Sequence, residues 1–279
     1  IHLYMNIVNI LLNFVFVYGY DMTANGVALG TVLSETTAFL LSLYYVKKHS
    51  RMNFSIPIFS SIVLKNIFNI SAFKVLFSLN RDIFIRTMCL TMTLASFVVL
   101  GTRFGTEVLA ANAVLMNLQN LTSYGLDGFA QAAEVLVGKE IGRKSKKNLR
   151  TAVIISSKWA IITAVAMTLF YYIFGEMIIN LLTNIETIRN ISSNYLTWII
   201  ILPLLSIWSF QLDGIFIGAT AGSSMRNGMI ISVISYILAI FILIPLWGNH
   251  GLWAAYSIFM IMRAITLFYK YPEIEKRAT

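Results

Sequence analysis

The sequence predicts an all-α membrane protein with eight transmembrane helices, and three observations carry that prediction. Of its 279 residues 58% are hydrophobic and only 12% charged, whereas about a quarter of a soluble domain is charged; the mean hydropathy is +0.76. Eight windows are apolar over the roughly 20 residues that a spanning helix needs. The cations crowd into alternate loops, as they do where basic loops stay on the cytoplasmic side. A single soluble core is excluded, and with it most enzyme classes. Cys89 is the lone cysteine, so no intramolecular disulfide can form.

The windows fall at residues 1–20, 26–46, 82–100, 109–137, 151–174, 195–219, 229–246 and 251–269. The stretch 54–79 is apolar too, but Pro57, Lys65 and Lys74 interrupt it and basic clusters flank it. That pattern predicts a shallow interfacial segment rather than a ninth span. The chain opens at Ile1 inside an apolar window, without the basic segment and cleavage site of a signal peptide. Its start is therefore expected to lie further upstream.

If the chain changes sides at each span, Lys47, Lys48, Arg51, Lys65, Lys74 and Arg81 share one side with Lys139, Arg143, Lys144, Lys146, Lys147 and Arg150, with Arg226, and with Lys270, Lys276 and Arg277. The opposite loops hold only Arg103 and Arg189. This asymmetry predicts that the C-terminal tail and the long Lys47 to Arg81 connection are cytoplasmic; a multi-pass place in the plasma (inner) membrane is the expected localisation. It also accounts for the net charge of +9 without a nucleic-acid partner.

An internal repeat adds to the organisation. The layout from Asn6 through Gly26 to Tyr45, a span, a Gly-led turn and a second span, recurs from Ile231 through Gly251 to Lys270. Both copies start and end on the basic side, so the repeat is parallel, as in transporters built from two similar halves. If each copy closes one half, four further spans precede the first copy.

Glu35, Asp127, Glu134 and Asp213 lie inside expected spans. An acid at that depth faces a wet cavity, pairs, or takes a proton, which makes it a functional candidate; the plainer alternative is a hydrogen bond that ties helices together. At about 100° per residue, Asn112, Met116, Gln119, Ser123, Asp127, Ala130 and Glu134 share one arc of the fourth span. Ser206, Ser209, Asp213 and Thr220 share a face of the sixth, with Phe210 and Ile217 beside them. Asn6, Asn9 and Asn13 line the first. Polar stripes on three helices predict a shared polar cavity.

The strings Leu126-Asp127-Gly128 and Leu212-Asp213-Gly214 echo each other, and a glycine there lets a neighbouring backbone approach or loosens the helix. Asp82 and Arg86 have the i,i+4 spacing of a surface ion pair. Pro203 is expected to kink the sixth span, and residues 218–223 (GATAGS) read as a helix end and turn rather than a nucleotide site. The three histidines are scattered, and no H-E-x-x-H, G-x-S-x-G or Gly-Lys-Ser/Thr motif is present, which argues against an enzyme and against a metal site.

Four ordered segments carry a family likeness: NRDIFIRT at 80–87, LAANAVL at 109–115, LDGFAQAAEVLVG at 126–138, and DGIFIGAT at 213–220 with MRN at 225–227. Together they resemble the DinF branch of the MATE (multidrug and toxic compound extrusion) transporters, over essentially the whole chain. The resemblance implies a twelve-helix protein of two six-helix lobes. Residues 1–46 correspond to the last two helices of the N-lobe, 47–80 to a cytoplasmic linker, 81–271 to the C-lobe and 272–279 to a cytoplasmic tail.

The implied activity is alternating-access export of organic, often cationic or amphipathic, compounds in exchange for protons or sodium, with no other cofactor and with a monomeric whole protein. Asp213 falls where the family has an acid in its tenth helix. The glutamate that the NorM branch carries in the seventh helix has no counterpart, since Leu90 stands there. The DinF-type coupling acid of the first helix lies outside these 279 residues. Within them Asp213 is the first candidate for ion coupling and Asp127 the second. Asn112, Met116, Gln119, Ser123, Glu134, Ser209 and Phe210 are the expected cavity lining, and Tyr124 and Trp208 are further aromatic candidates. Three alternatives stay open: a truncated, inactive half-transporter; a structural or receptor-like membrane protein, which would need no acids on cavity faces; and a flippase of lipid-linked oligosaccharides, which needs a cationic cavity that only Arg86 and Lys158 approach.

Overall fold

The computed structural model describes residues 1–49 and 70–278. Within them every regular element is helical: α1 (His2–Phe14, continued by a π-helical turn, Val15–Gly19), α2 (Ala24–His49), α3 (Ile70–Gly101, then a 3-10 turn, Thr102–Phe104), α4 (Thr106–Gly142), α5 (Lys146–Leu182), α6 (Glu186–Gly218), α7 (Gly222–Trp247) and α8 (Asn249–Arg277). Each of the eight expected windows falls in its own helix. Among the described residues seven helices are long and apolar enough to cross a membrane. The remaining one is α4, whose polar stripe lowers its hydropathy. The interfacial segment expected at 54–79 lies mostly outside the described residues, and its last ten residues are the opening turns of α3.

Two compact units result, Ile1–Ala72 and Phe73–Thr279. In the first, α1 and α2 form a hairpin. Asn9 Nδ2 donates to Thr31 Oγ1 at 3.2 Å and to Ser34 Oγ at 3.4 Å, and Asn13 Nδ2 donates to Asn9 Oδ1 at 3.0 Å. Asn9 thus binds α2, as interhelical polar groups do in lipid, and Asn13 is tied to it along α1. Glu35 is exposed on α2.

The second unit holds α3 to α8 around α6, the most deeply buried helix. Helix α6 runs without interruption through Pro203. Gly218 ends it, Thr220 takes a left-handed φ of 53°, and α7 starts at Gly222, the helix end and turn read from the sequence. Gly248, at φ +55° and ψ −128°, joins α7 to α8; only glycine takes that conformation without steric cost.

Glycines also set the tightest crossing. A Cβ on Gly214 would collide with the carbonyl of Ala130, and one on Gly218 with that of Glu134. Such a small-xxx-small row lets two helix backbones touch, so α4 and α6 bring Asp127 and Asp213 to one wall. Helix α3 is seated by side chains instead. Phe97 meets Trp253 edge-on at 4.8 Å and Tyr256 at 5.7 Å between ring centroids, and Ser96 Oγ donates to Tyr236 Oη at 3.2 Å.

The cations gather at one end of this unit. Arg226 Nη1 reaches Asp82 at 2.6 Å, Arg150 grips Glu275 with two bonds of 2.7 Å, and Arg277 Nη1 donates to the Ala219 carbonyl at 2.8 Å. The α4–α5 turn, the α6–α7 turn, the start of α3 and the end of α8 therefore meet there. Toward the other end, Arg189 donates to the carbonyls of Thr183 (2.8 Å) and Asn180 (3.0 Å) at the last turn of α5, a favourable place for a cation.

Candidate functional site

A cavity of about 460 Å³ opens between α3, α4, α6 and α8. Helix α3 contributes Arg86, Leu90 and Leu94; α4 contributes Asn120, Ser123, Asp127, Ala130, Gln131 and Glu134; α6 contributes Phe210, Asp213, Gly214 and Ile217; α8 contributes Tyr256, Met260 and Arg263. Three carboxylates and two guanidiniums share this space. When all are ionised, one negative charge is in excess.

Asp213 is the hub of the charges. Its Oδ2 accepts a hydrogen bond from Arg86 Nη2 on α3 and another, at 2.5 Å, from Arg263 Nη2 on α8. One carboxylate thereby ties three helices. Arg263 is 3% exposed and Asp213 7%, so neither charge can be left to water. Arg263 is held further by the rings of Phe210 and Phe259, at 5.7 and 5.6 Å from its guanidinium carbon, a cation–π arrangement, and by Met260 Sδ at 3.2 Å.

Arg86, expected to pair with Asp82, turns inward instead, and Asp82 is taken by Arg226 and Arg81. The i,i+4 spacing loses because Asp82, itself only 5% exposed, is already neutralised by Arg226 and Arg81, whereas the buried Asp213 can bind a second guanidinium. Arg263 escaped the sequence reading. It is the only cation in the window 251–269, and an isolated intramembrane cation calls for a carboxylate partner; that signal would have found it.

Asp127 and Glu134 line the cavity without a side-chain hydrogen bond or ion pair among the described residues, although Asp127 lies in the electrostatic field of Asp213, Arg263 and Arg86. Ser123 and Phe210 are also on the wall. Asn112 and Met116 line an adjoining pocket of about 320 Å³ that shares Leu94 and Asn120 with the cavity. Asn112 is committed there to an amide pair with Asn249 (2.8 and 3.0 Å) and accepts from Trp253 Nε1 at 2.9 Å.

Gln119 and Ser209 are buried and lie on neither wall; Ser209 Oγ donates to the Ser206 carbonyl at 2.7 Å and packs on Met260. A helical wheel gives direction but not depth, and α6 is enclosed on almost every side. Tyr124 is 74% exposed, Trp208 lines a separate groove on the outer face, and so does Lys158. A Cβ on Gly128 would meet nothing within 4 Å, so of the two Asp-Gly strings only the second serves close packing.

The MatE family profile matches residues 83–244. Over 262 residues the chain is 37% identical to DNA damage-inducible protein F of Escherichia coli (strain K12), which covers 94% of this chain and 56% of that protein. Over 222 residues it is 25% identical to the probable multidrug resistance protein NorM of Photorhabdus laumondii, 76% of this chain and 46% of that one. The chain thus spans about half the length of the curated relatives it matches.

Among solved structures, the bent form of the Vibrio cholerae MATE transporter VcmN matches with a TM-score of 0.83 at 14% identity, over 99% of this chain and 61% of that one. A MOP superfamily transporter from Pyrococcus furiosus matches with a TM-score of 0.73 at 19% identity, over 99% and 62%. These likenesses show a common fold: the chain folds as the corresponding part of an all-helical, multi-pass membrane transporter. It belongs to the MatE family, that of the MATE transporters.

Proposed function

We propose that the chain forms the C-terminal part of a secondary transporter that exports organic, cationic or amphipathic compounds in exchange for protons or sodium. In this reading residues 1–46 complete an N-lobe, 47–80 link the lobes, 81–271 are the C-lobe and 272–279 the tail. The cationic end faces the cytoplasm, and the whole protein works as a monomer in the plasma (inner) membrane. The observation that carries the reading is the charge balance of the cavity, where two arginines are neutralised on Asp213 while, among the described residues, Asp127 and Glu134 have no ion-pair partner.

An unpaired carboxylate at that depth attracts a cationic substrate or a proton, but holds only one of them well at a time. Protonation of Asp127 from outside weakens substrate binding and favours release; deprotonation inside restores the site. The order of the two coupling acids is thereby reversed from the sequence expectation. Asp213 is already matched by two guanidiniums, so its part is to hold α3, α6 and α8 and the arginines in place. The flippase alternative loses support, since Lys158 is not on this cavity and Arg86 and Arg263 are not free for a diphosphate.

Proteoliposomes of the full-length protein test the reading. With an imposed pH or sodium gradient, an organic cation moves against its own gradient. Asp127→Asn removes the coupled flux at least tenfold. Undiminished flux and coupling in Asp127→Asn would sink this assignment.

A further inference from the structure

The groove that holds Lys158 lies between α5, α6 and α8, away from the charged cavity. It has a volume of about 470 Å³, and its wall includes Arg150, Ser157, Lys158, Trp208, Phe268 and Tyr271. A second groove of about 340 Å³ continues from it over Trp208, Leu212, Phe268 and Tyr269. Ile154, Trp208 and Phe268 are exposed at 54%, 40% and 66%, so in a membrane the groove opens sideways to lipid tails. From Arg150 to Ile161 the α5 wall is about 16 Å long, and half of the hydrocarbon core is about 15 Å. The groove is one leaflet deep.

Among the described residues, two polar groups in it have no protein partner. Lys158 is exposed on the face of α5 that also carries Ile154, Ile155 and Ile162, and no carboxylate lies within ion-pair distance among the described residues. A bare ammonium there is costly unless it reaches an interfacial anion. Ser157 is 7% exposed, lines the groove, and its hydroxyl has no hydrogen-bond partner. Side chains on a helix lean toward its N-terminus, which for α5 is the cationic end, so Lys158 leans toward the headgroups at that end. Arg150 sits two turns nearer to them; Glu275, also on the wall, is already bound by Arg150 and Lys146.

We propose that this groove is a binding site for one anionic phospholipid of the leaflet at the cationic end. The phosphate sits at the Lys158 ammonium on the side of Arg150, whose bonds to Glu275 use Nε and Nη2 and leave Nη1 to face it; Ser157 Oγ donates to the phosphate or an ester oxygen, and an acyl chain lies along Trp208, Leu212 and Phe268. Net headgroup charge sets the selectivity. A basic pocket between spanning helices on the positive side binds acidic headgroups in this way.

The test places the protein in phosphatidylcholine nanodiscs that contain a small fraction of a lipid with brominated acyl chains, either phosphatidylglycerol or phosphatidylcholine, and reads tryptophan quenching. Brominated phosphatidylglycerol quenches at roughly fivefold lower mole fraction, the effect expected of a single lysine near an acidic surface. The preference disappears in Trp208→Phe, which identifies the reporter, falls in Lys158→Gln and in Ser157→Ala, survives in Lys158→Arg, and persists in excess inorganic phosphate. Equal quenching by the two lipids, or a preference that Lys158→Gln leaves intact, overturns the proposal. So does competition by inorganic phosphate, which would make this a headgroup site alone. No quenching of Trp208 by either lipid also overturns it, because the groove is then covered by protein.

Discussion

Asp213 on α6 and Arg263 on α8, 50 residues apart in sequence, meet through a single carboxylate oxygen that Arg86 of α3 also holds. The three helices thus share one charge centre inside the bundle. Deleting one member of a buried ion pair leaves the others uncompensated and costs about 3–5 kcal/mol. Asp213→Asn is therefore expected to lower the thermal unfolding midpoint markedly in detergent. Arg86→Met should cost less than Arg263→Met, since the Arg86 side chain is 15% exposed and that of Arg263 4%. Equal midpoints for wild type and Asp213→Asn would mean that the hub does not hold the helices.

The α4–α6 crossing depends on the missing side chain of Gly214. Gly214→Ala drives a methyl into the Ala130 backbone, and overpacking of this kind costs about 1–3 kcal/mol. Gly128→Ala, in the open on the same pair of helices, should be neutral or stabilise by about 0.5–1 kcal/mol, the usual gain of alanine over glycine in a helix. Thermal unfolding of the two variants side by side separates close packing from a general intolerance of substitution.

Asn112 is expected to act through structure. Asn112→Leu leaves the Asn249 amide and the Trp253 N–H without their partner, and these residues are only 4% and 0% exposed. An orphaned buried group costs about 1–3 kcal/mol. The variant should lose stability while a correctly folded fraction keeps its substrate affinity. A large affinity loss with unchanged stability would put Asn112 in the binding site.

The helices were legible in the sequence because length and hydropathy set a spanning segment almost alone, and each of the eight windows found its helix. The stripe on α4 was legible in direction, so Ser123, Asp127 and Glu134 reached the cavity. What periodicity could not supply was the partner. Arg86 had an acid four residues away and chose one 127 residues away. Asn9 of α1 belongs to a row with the same polar spacing as the α4 stripe, yet it bonds to α2, because a polar group at a two-helix interface and one on a wet wall look alike along one helix. Lys158, on the outer face, could be told from a cavity lysine only once the packing of α5 was known.

The most direct measurement of the central claim is the affinity of the full-length protein for a fluorescent organic cation as a function of pH, in wild type and in Asp127→Asn. If Asp127 carries the exchangeable charge, wild-type binding weakens as pH falls, because the protonated acid no longer attracts the cation. Asp127→Asn then binds at least tenfold more weakly at high pH and shows no pH dependence. If Asp127→Asn follows the wild-type curve in both affinity and pH dependence, the coupling charge lies elsewhere and the account of the cavity is wrong.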